Sequence, residues 1–154
     1  MFMGTYDHSI DAKGRVIVPA KFREELGDSF VVTLGLDGCL FVYPQEDWED
    51  FVKQLRELPG SKEARKLQRY FMAGAASCEL DKQGRVLIDQ KLREHAGLDK
   101  EVVLAGVLGF NIYKDTEAFD ADKLLSSGAS VMYDSNGEVM YTYGSDENGT
   151  RENI

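Results

Sequence analysis

The sequence predicts an α+β fold, rich in β-strand, in which two copies of one small unit share a core. The first observation is an internal repeat: a single ungapped offset of 70 residues aligns roughly 40 positions of the two halves. The second is that short β-branched runs alternate with turn residues in both halves, which is typical of strands joined by tight turns. The third is that 154 residues suffice for two small halves with a common core.

The repeat rests on identities that are spread along each half of the chain. A register kept over that length is not expected by chance, so the sequence indicates a duplication. The identical pairs are Gly4 and Gly74, Asp11 and Asp81, Gly14 and Gly84, Arg15 and Arg85, Val16 and Val86, Lys21 and Lys91, Arg23 and Arg93, Glu24 and Glu94, Gly27 and Gly97, Val32 and Val102, Leu34 and Leu104, and Tyr43 and Tyr113.

Each copy is predicted to be a β-β-α-β-β unit. An Asp that bonds the backbone two residues on and a Gly that supplies positive φ predict the first turn. Pro19 suits the first helical position, and Gly27 ends the helix. In the second copy Asp89 replaces that proline and can cap a helix over 90–96. In the first copy the predicted strands are 4–10, 15–18, 30–34 and 40–43, the turn is 11–14 and the helix is 20–26.

Two amphipathic helices are predicted between the copies. Apolar residues at helical spacing, among them Trp48 and Leu55, indicate a helix over 45–57. Ser61 can cap a second helix that ends near Phe71. The organisation predicted for the whole chain is a first repeat at 5–47, a helical connector at 48–73, a second repeat at 76–119 and an acidic tail at 120–154.

The tail is predicted to contain a short helix and a β-hairpin. The helix spans 117–125, and the hairpin strands are 131–133 and 138–143, joined by a turn around Asn136-Gly137. Residues 144–154 are polar, and we expect them to be disordered.

A single β-β-α-β-β unit of this size buries little surface and leaves strand edges open. Two tandem copies can pair with each other around a pseudo-two-fold axis. We therefore expect one barrel-like core that is closed by both copies.

The net charge of −9, taken alone, argues against a nucleic-acid partner. However, residues 1–113 hold 15 Lys and Arg against 18 Asp and Glu, whereas residues 114–154 hold 3 against 9. Four basic side chains lie within 11–23 (Lys13, Arg15, Lys21 and Arg23) and four within 81–93 (Lys82, Arg85, Lys91 and Arg93). Binding to DNA depends on such local patches more than on the total charge.

Several function classes find no support in the sequence. No apolar run approaches the roughly 20 residues that span a membrane, and residues 1–7 lack the pattern of a signal peptide. Cys39 and Cys78 lack the spacing of a metal site or of a disulfide framework. We therefore expect a cytoplasmic protein that is not an enzyme and has no cofactor, no metal and no small-molecule substrate.

The segment at 11–19, DAKGRVIVP, followed by Phe22-Arg23-Glu24, resembles the swapped-hairpin DNA-binding domain of AbrB/SpoVT-type regulators. The tandem arrangement, together with residues 1–4, 38–44, Trp48 and 78–85, resembles the MraZ family over about residues 1–113. That resemblance implies a double-split β-barrel with two Asp-x-x-x-Arg loops on one face. It also implies a ring-shaped homo-oligomer that binds repeated short boxes of double-stranded DNA upstream of the division and cell-wall gene cluster, usually as a repressor, in association with the nucleoid.

Two departures from the family's pattern stand out. Asp89 replaces the proline that is common at that position. The family usually has a Trp-containing strand and a long acidic C-terminal helix, whereas the strand at 111–113 has no Trp and the tail predicts a hairpin.

Arg15 and Arg85 are the predicted DNA contacts, because a planar guanidinium can bond a guanine edge with two hydrogen bonds or clamp a phosphate. The sequence leaves open which of the two each arginine does. Lys13 suits phosphate, and Lys82 is not its exact counterpart because Gln83 occupies that position. These features favour the first loop as the base reader and the second as the anchor. The remaining candidates are Arg23 and Arg93 on the helices as second-rank DNA contacts, and Asp11, Gly14, Asp81 and Gly84 as turn-forming residues.

Alternative interpretations remain open. Each arginine can pair with the Asp four residues earlier and stiffen its hairpin. The basic side chains of the second connector helix (Lys62, Arg65, Lys66 and Arg69) can touch phosphate or form a solvated face with Leu67, Tyr70 and Phe71 packed inward. Other functions to weigh are an AbrB-like antitoxin that binds a toxin through its tail, a hydrolase that uses Asp11 or Asp81 near His8, and a purely structural ring.

Overall fold

The computed structural model of the chain describes residues 1–119, 130–133 and 139–143. It contains two compact units, Met1–Ala118 and Phe119–Ile154. The elements of the first unit are β1 (Thr5–Ser9), β2 (Arg15–Ile17), α1 (Ala20–Leu26), β3 (Ser29–Leu34), β4 (Leu40–Pro44), α2 (Gln45–Arg56), α3 (Lys62–Ala73), β5 (Ala76–Glu79), β6 (Arg85–Leu87), α4 (Gln90–Ala96), β7 (Glu101–Gly106) and β8 (Phe110–Tyr113).

The two repeats exchange strands. Six strands form an antiparallel sheet in the order β1-β7-β8-β4-β3-β5. The first strand of each repeat pairs with the third strand of the other, so Thr5 lies opposite Ala105 and Phe30 lies opposite Cys78. The second strands form a separate ribbon, β2·β6, in which Val16 lies opposite Val86. The predicted α+β fold with its pseudo-two-fold pairing of tandem repeats is confirmed.

The sheet is split, because no hydrogen-bonded pairing among residues 1–119 joins its outer strands β1 and β5. The β2·β6 ribbon lies beside both: β1 contacts β2, and β5 contacts β6. The inward-facing ribbon residues Val16, Val18, Val86 and Ile88 are fully buried. The ribbon therefore covers the core where the sheet does not.

Aromatic side chains tie the repeats together inside this core. Phe22, on α1 of the first repeat, is fully buried and stacks on Phe110 of the second repeat with ring centroids 4.9 Å apart. Its other ring contacts are Phe2 at 5.4 Å and Tyr6 at 5.2 Å. Burying a side chain of this size contributes about 1.5–3 kcal/mol by transfer from water alone.

The connector helices pack on the sheet. α2 contacts β3 and β4, and α3 contacts β3. Thr33, a buried polar residue, donates its hydroxyl to the carbonyl of Phe71 over 2.7 Å, so its burial leaves no unsatisfied group. Phe71 is buried as predicted, but Leu67 remains 37% exposed, because the inward stripe of α3 runs through Ala64 and Phe71.

Most predicted helix starts are confirmed. The Ser61 hydroxyl accepts the amide of Ala64 at 3.1 Å, and the Asp89 carboxylate accepts the amide of Leu92 at 2.9 Å. Pro19 differs from its prediction by one position: its ψ of 143° is extended, so it precedes the helix, which begins at Ala20.

In the second unit, β9 (Ser130–Tyr133) and β10 (Val139–Tyr143) pair antiparallel, with a register shift between Val139 and Tyr141. The predicted hairpin strands are thus confirmed. The predicted turn at 136–137, most of the predicted helix at 117–125 and the predicted disorder at 144–154 lie outside the described residues. No helix among the described residues is long and apolar enough to span a membrane.

Because Phe22 joins both repeats, Phe22→Ala should lower the free energy of unfolding by about 3–5 kcal/mol. Chemical denaturation followed by circular dichroism measures this loss. Leu36→Ala, at a residue that is 49% exposed, is the matched control and should change stability by less than about 0.5 kcal/mol. A loss below about 1 kcal/mol for Phe22→Ala would contradict the shared core.

Candidate nucleic-acid interface

Two loops with the same hydrogen bonds precede the ribbon strands: loop 1 (residues 11–14) and loop 2 (residues 81–84). In loop 1, Asp11 Oδ1 accepts the amides of Lys13 at 3.0 Å and Arg15 at 2.9 Å. In loop 2, Asp81 Oδ1 accepts the amides of Gln83 and Arg85, both at 2.9 Å. Both aspartates therefore form their turns, as the sequence predicts for an Asp at that position.

The predicted contact arginines are held by the same carboxylates. Arg15 Nε donates to Asp11 Oδ2 at 2.6 Å, and Arg85 Nε donates to Asp81 Oδ2 at 2.8 Å. The Arg15 side chain is 30% exposed and the Arg85 side chain is 24% exposed. The predicted Arg–Asp pairing thus exists, but it occupies only Nε, and a guanidinium has two further N–H₂ groups that can bond an external acceptor.

The two loops lie next to each other. Arg85 directly follows loop 2, and its Nη1 atom lies 4.0 Å from Oδ2 of Asp11 in loop 1. At this degree of exposure solvent screens such an ion pair, and it contributes little to stability. Its consequence is geometric: both arginines belong to one surface.

The pKa values of Asp11 and Asp81 both lie below the ordinary value of 3.8. The main cause for each is the backbone amide of the arginine four residues on, and the arginine side chain adds to it. A hydrolase that used either residue as a general acid would need a raised pKa. In addition, neither aspartate lines the cleft that contains His8, whose acidic members are Asp7, Glu101 and Asp115.

Each loop is supported by the opposite repeat. The amide of Val18 donates to the carbonyl of Gly84 at 3.0 Å, and the amide of Ile88 donates to the carbonyl of Gly14 at 2.8 Å. Both glycines are buried and have positive φ, +90° at Gly14 and +76° at Gly84. Hydrogen bonds from residues next to the ribbon strands therefore fix the conformation of both loops.

Arg23 and Arg93 take part in this support. A Cβ at Gly84 would collide with the guanidinium of Arg23, and a Cβ at Gly14 would come within 2.9 Å of Arg93 Nε. Both Nε atoms are buried and have no hydrogen-bond partner among the described residues. These arginines thus lie against the loop of the other repeat, an arrangement that sequence reasoning missed. The available signal was that both glycines and both arginines recur together at the same offset.

The lysines lie at the loop tips. Lys13 and Lys82 are both exposed, as is Gln83. On α3, the basic residues of the alternative phosphate site are exposed as well: Lys62, Arg65, Lys66 and Arg69. Lys13 and Lys82 belong to loop 1 and loop 2, whereas the basic residues of α3 lie on a connector helix that packs on β3.

Gly14→Ala should cost more stability than Gly84→Ala. At Gly14 a Cβ would also lie 2.9 Å from the carbonyl oxygen of Ile88, which is backbone and cannot move aside, whereas at Gly84 the nearby atoms belong to the Arg23 side chain. Gly27→Ala is the matched control, since Gly27 has φ +78° but no atom within 4 Å of its Cβ position. The control should cost about 1–3 kcal/mol from its backbone conformation alone, because φ +78° with ψ −172° is a region that only glycine adopts readily. Chemical denaturation should show the largest loss of stability for Gly14→Ala, a smaller loss for Gly84→Ala and the smallest for Gly27→Ala. Equal losses would contradict the tight packing around the two loops.

Arg15→Ala should raise the pKa of Asp11 while leaving it below 3.8, because the backbone amide of residue 15, the main cause of the shift, is retained. The pKa of Asp81 in the same variant is the internal control and should not change. Carboxyl-carbon NMR titration measures both values. Since the folded-state pKa values are depressed, the two carboxylates stabilise the fold at neutral pH, and this contribution is lost as the pH falls below about 3.8 and through the folded pKa. A return of Asp11 to 3.8 would show that the side chain, not the turn, sets its pKa.

Known proteins resemble most of this chain. A family model described as "MraZ protein, putative antitoxin-like" matches residues 1–70 and 71–118. A protein named Transcriptional regulator MraZ from Lachnoclostridium phytofermentans is 72% identical over 108 residues, which are 70% of this chain and 77% of the relative. Proteins of the same name from Thermoanaerobacter sp. (strain X514) and Moorella thermoacetica are 59% and 58% identical over 108 residues, 70% of this chain and 76% of each relative.

The first matched segment contains the first repeat and most of the helical connector, the second contains the second repeat, and the acidic residues beyond 118 lie outside the match. The strand-exchanged fold, the paired Asp-x-x-x-Arg loops and the identity to these relatives agree. The chain belongs to the MraZ family.

Proposed function

We propose that this chain is a transcriptional regulator that binds double-stranded DNA through loop 1, loop 2 and the β2·β6 ribbon. The observation that carries the proposal is the adjacent placement of Arg15 and Arg85, each oriented by its own aspartate, on one surface. The name that the relatives carry, Transcriptional regulator MraZ, supports it.

The chemistry of this surface suits DNA. A two-stranded β-ribbon fits the major groove, where an arginine can donate two hydrogen bonds to guanine O6 and N7. The N–H₂ groups that Arg15 and Arg85 do not use in their Nε bonds to Asp11 and Asp81 can do this, or they can clamp phosphates. Lys13 and Lys82, exposed at the loop tips, are placed to meet the phosphate backbone. Arg23 and Arg93 act mainly by supporting the loops, with direct DNA contact as a second role.

The loops are ordered before DNA arrives. Backbone hydrogen bonds to Asp11 and Asp81 close each turn, and the opposite repeat holds both glycines. A side chain that is already ordered before binding avoids an entropic cost of about 0.5–1.5 kcal/mol in the free energy of binding. Asp11 and Asp81 would repel phosphate if unpaired, and their ion pairs with the arginines reduce that repulsion.

We further propose that the protein is a repressor that binds repeated short boxes upstream of the division and cell-wall gene cluster as a ring-shaped homo-oligomer. The support is the family resemblance together with a physical argument. One chain offers two loops, and linking subunits makes each later contact intramolecular, which raises the overall affinity. Boxes spaced by about one helical turn would present the same face of the duplex to successive subunits.

An antitoxin is the second candidate, favoured by the antitoxin-like description of the matching family. It requires that the chain form a stoichiometric complex with a toxin and abolish the toxin's activity. Co-purification of a neighbouring gene product with such an activity would favour it over regulation alone.

Arg15→Ala and Arg85→Ala should each weaken binding to a duplex carrying repeated boxes. If the arginine bonds a guanine, the loss is about 1–3 kcal/mol, or roughly 5-fold to 150-fold. Fluorescence anisotropy at several salt concentrations measures it. Arg56→Ala, at an exposed arginine near the end of α2, is the matched control and should bind like the parent.

The slope of log affinity against log salt should be negative for the parent and smaller in magnitude by about one for Lys13→Ala, if Lys13 neutralises one phosphate. Unaltered binding by all three loop variants would move the site to the basic face of α3. Absence of salt-dependent binding to any duplex would leave the structural ring as the better interpretation.

A further inference from the structure

Two large apolar side chains are exposed on the surface that carries the contact arginines. Ile17 is 44% exposed and Leu87 is 59% exposed. They occupy equivalent positions of the two repeats. Among the exposed large apolar residues of 1–119, they are the one pair related by the 70-residue offset.

The register of the ribbon places these residues diagonally to each other, beside the two arginines. Arg15 lies opposite Leu87, and Ile17 lies opposite Arg85. Because successive side chains of a strand point to opposite faces, these four share the outward face while Val16 and Val86 point into the core. Side chains directly opposite each other have Cβ atoms about 4.5–5.5 Å apart. The outward face therefore carries Ile17 and Leu87 on one diagonal, here called the apolar centre, and Arg15 and Arg85 on the other.

The core does not require this apolar centre. The inner face of the ribbon is filled by fully buried Val16, Val18, Val86 and Ile88, so polar residues at 17 and 87 would leave the packing intact. An ordinary solvent-facing strand position carries a polar side chain. Both repeats instead keep an apolar residue here, on the one face that also presents Arg15 and Arg85.

We propose that Ile17 and Leu87 contact thymine C5-methyl groups in the major groove, beside the bases or phosphates that the arginines bind. The inference rests on the proposed DNA-binding function. Thymine presents the apolar group of the major groove, and aliphatic side chains recognise it by contact. Four basic side chains near the apolar centre (Arg15, Arg85, Lys13 and Lys82) outnumber the two carboxylates that pair with the arginines. The remaining positive charge favours a polyanion over an apolar protein surface.

Spacing along the strand agrees with this assignment. Residues 15 and 17 are two positions apart, about 6.7 Å at the usual rise of a strand, and two base-pair steps span about 6.8 Å. A strand that follows the groove can therefore place an arginine on one base pair and an aliphatic side chain on the next but one. The pseudo-two-fold of the ribbon repeats that arrangement in the opposite direction.

The test uses a single-box duplex that the full-length parent protein selects from a random pool. Thymines in the selected box are replaced one at a time by deoxyuridine, which removes only the methyl group. The parent should lose about fourfold in affinity at each contacted thymine, the factor that corresponds to burying one methylene. The Ile17→Ala/Leu87→Ala double variant should bind the thymine duplex at least fourfold more weakly than the parent and no longer distinguish thymine from deoxyuridine, with an unchanged salt slope.

Leu36→Ala is the matched control, since Leu36 has a similar exposure of 49% but lies in the turn between β3 and β4. It should retain both the affinity and the thymine preference. Thermal unfolding checks that the double variant is folded, and Ile17→Thr keeps the β-branched shape if alanine proves too disruptive. The deoxyuridine comparison needs only the parent and overturns the proposal by itself if the affinity does not change. The variants at 17 and 87 then assign the contact to these side chains.

The outcomes are distinguishable. A parent that binds DNA with the expected salt dependence but does not respond to deoxyuridine overturns this inference and leaves the proposed function intact. The same holds if the double variant binds DNA like the parent and differs only in its sedimentation, which would assign the apolar centre to contact with a second copy. A parent that binds no duplex overturns the proposed function itself.

Discussion

The pairing of β2 with β6 both completes the core and joins the two loops. Val16 and Val86 meet at its centre, fully buried, and each strand comes from a different repeat. The ribbon covers the core where the six-stranded sheet remains split, so neither repeat can bury its apolar face without the other. The same pairing brings loop 1 and loop 2 together, because each loop leads directly into a ribbon strand. Stability and the candidate binding surface therefore have a common origin.

The charged residues of the two loops and of the neighbouring helices have different roles. Asp11 and Asp81 close the turns and orient the arginines, while Arg23 and Arg93 pack against the glycines of the opposite loops. Arg15 and Arg85 keep donors available toward solvent. A protein with a net charge of −9 can thus present a locally basic, ordered surface to DNA, because the acidic excess is concentrated beyond residue 113.

Sequence reasoning succeeded where the signals are local. The Asp-x-x-Gly turns, the Asp89 cap and the Ser61 cap depend on groups a few residues apart, and the structure has them where they were predicted. The pseudo-two-fold pairing followed from the repeat and from open strand edges. The identity of the exchanged strands did not, because strands of three to six residues carry little information about their partners. The packing of Arg23 and Arg93 on the loops was missed because it joins residues about 60 and 80 positions apart in the chain. Ile17 was interpreted only as part of the strand at 15–18, because residues 16–18 form a continuous apolar run in which no alternation indicates the outward position.

Each loop is held by the opposite repeat, and amide hydrogen exchange at Val18 and Ile88 measures this support, because these two amides donate to the carbonyls of Gly84 and Gly14. Both amides should exchange as slowly as those of the central strands β4 and β8, through opening of the whole core. Fast exchange at Val18 and Ile88 in a protein whose sheet stays protected would show that the loops and ribbon open independently of the sheet, and that the opposite repeat does not hold them.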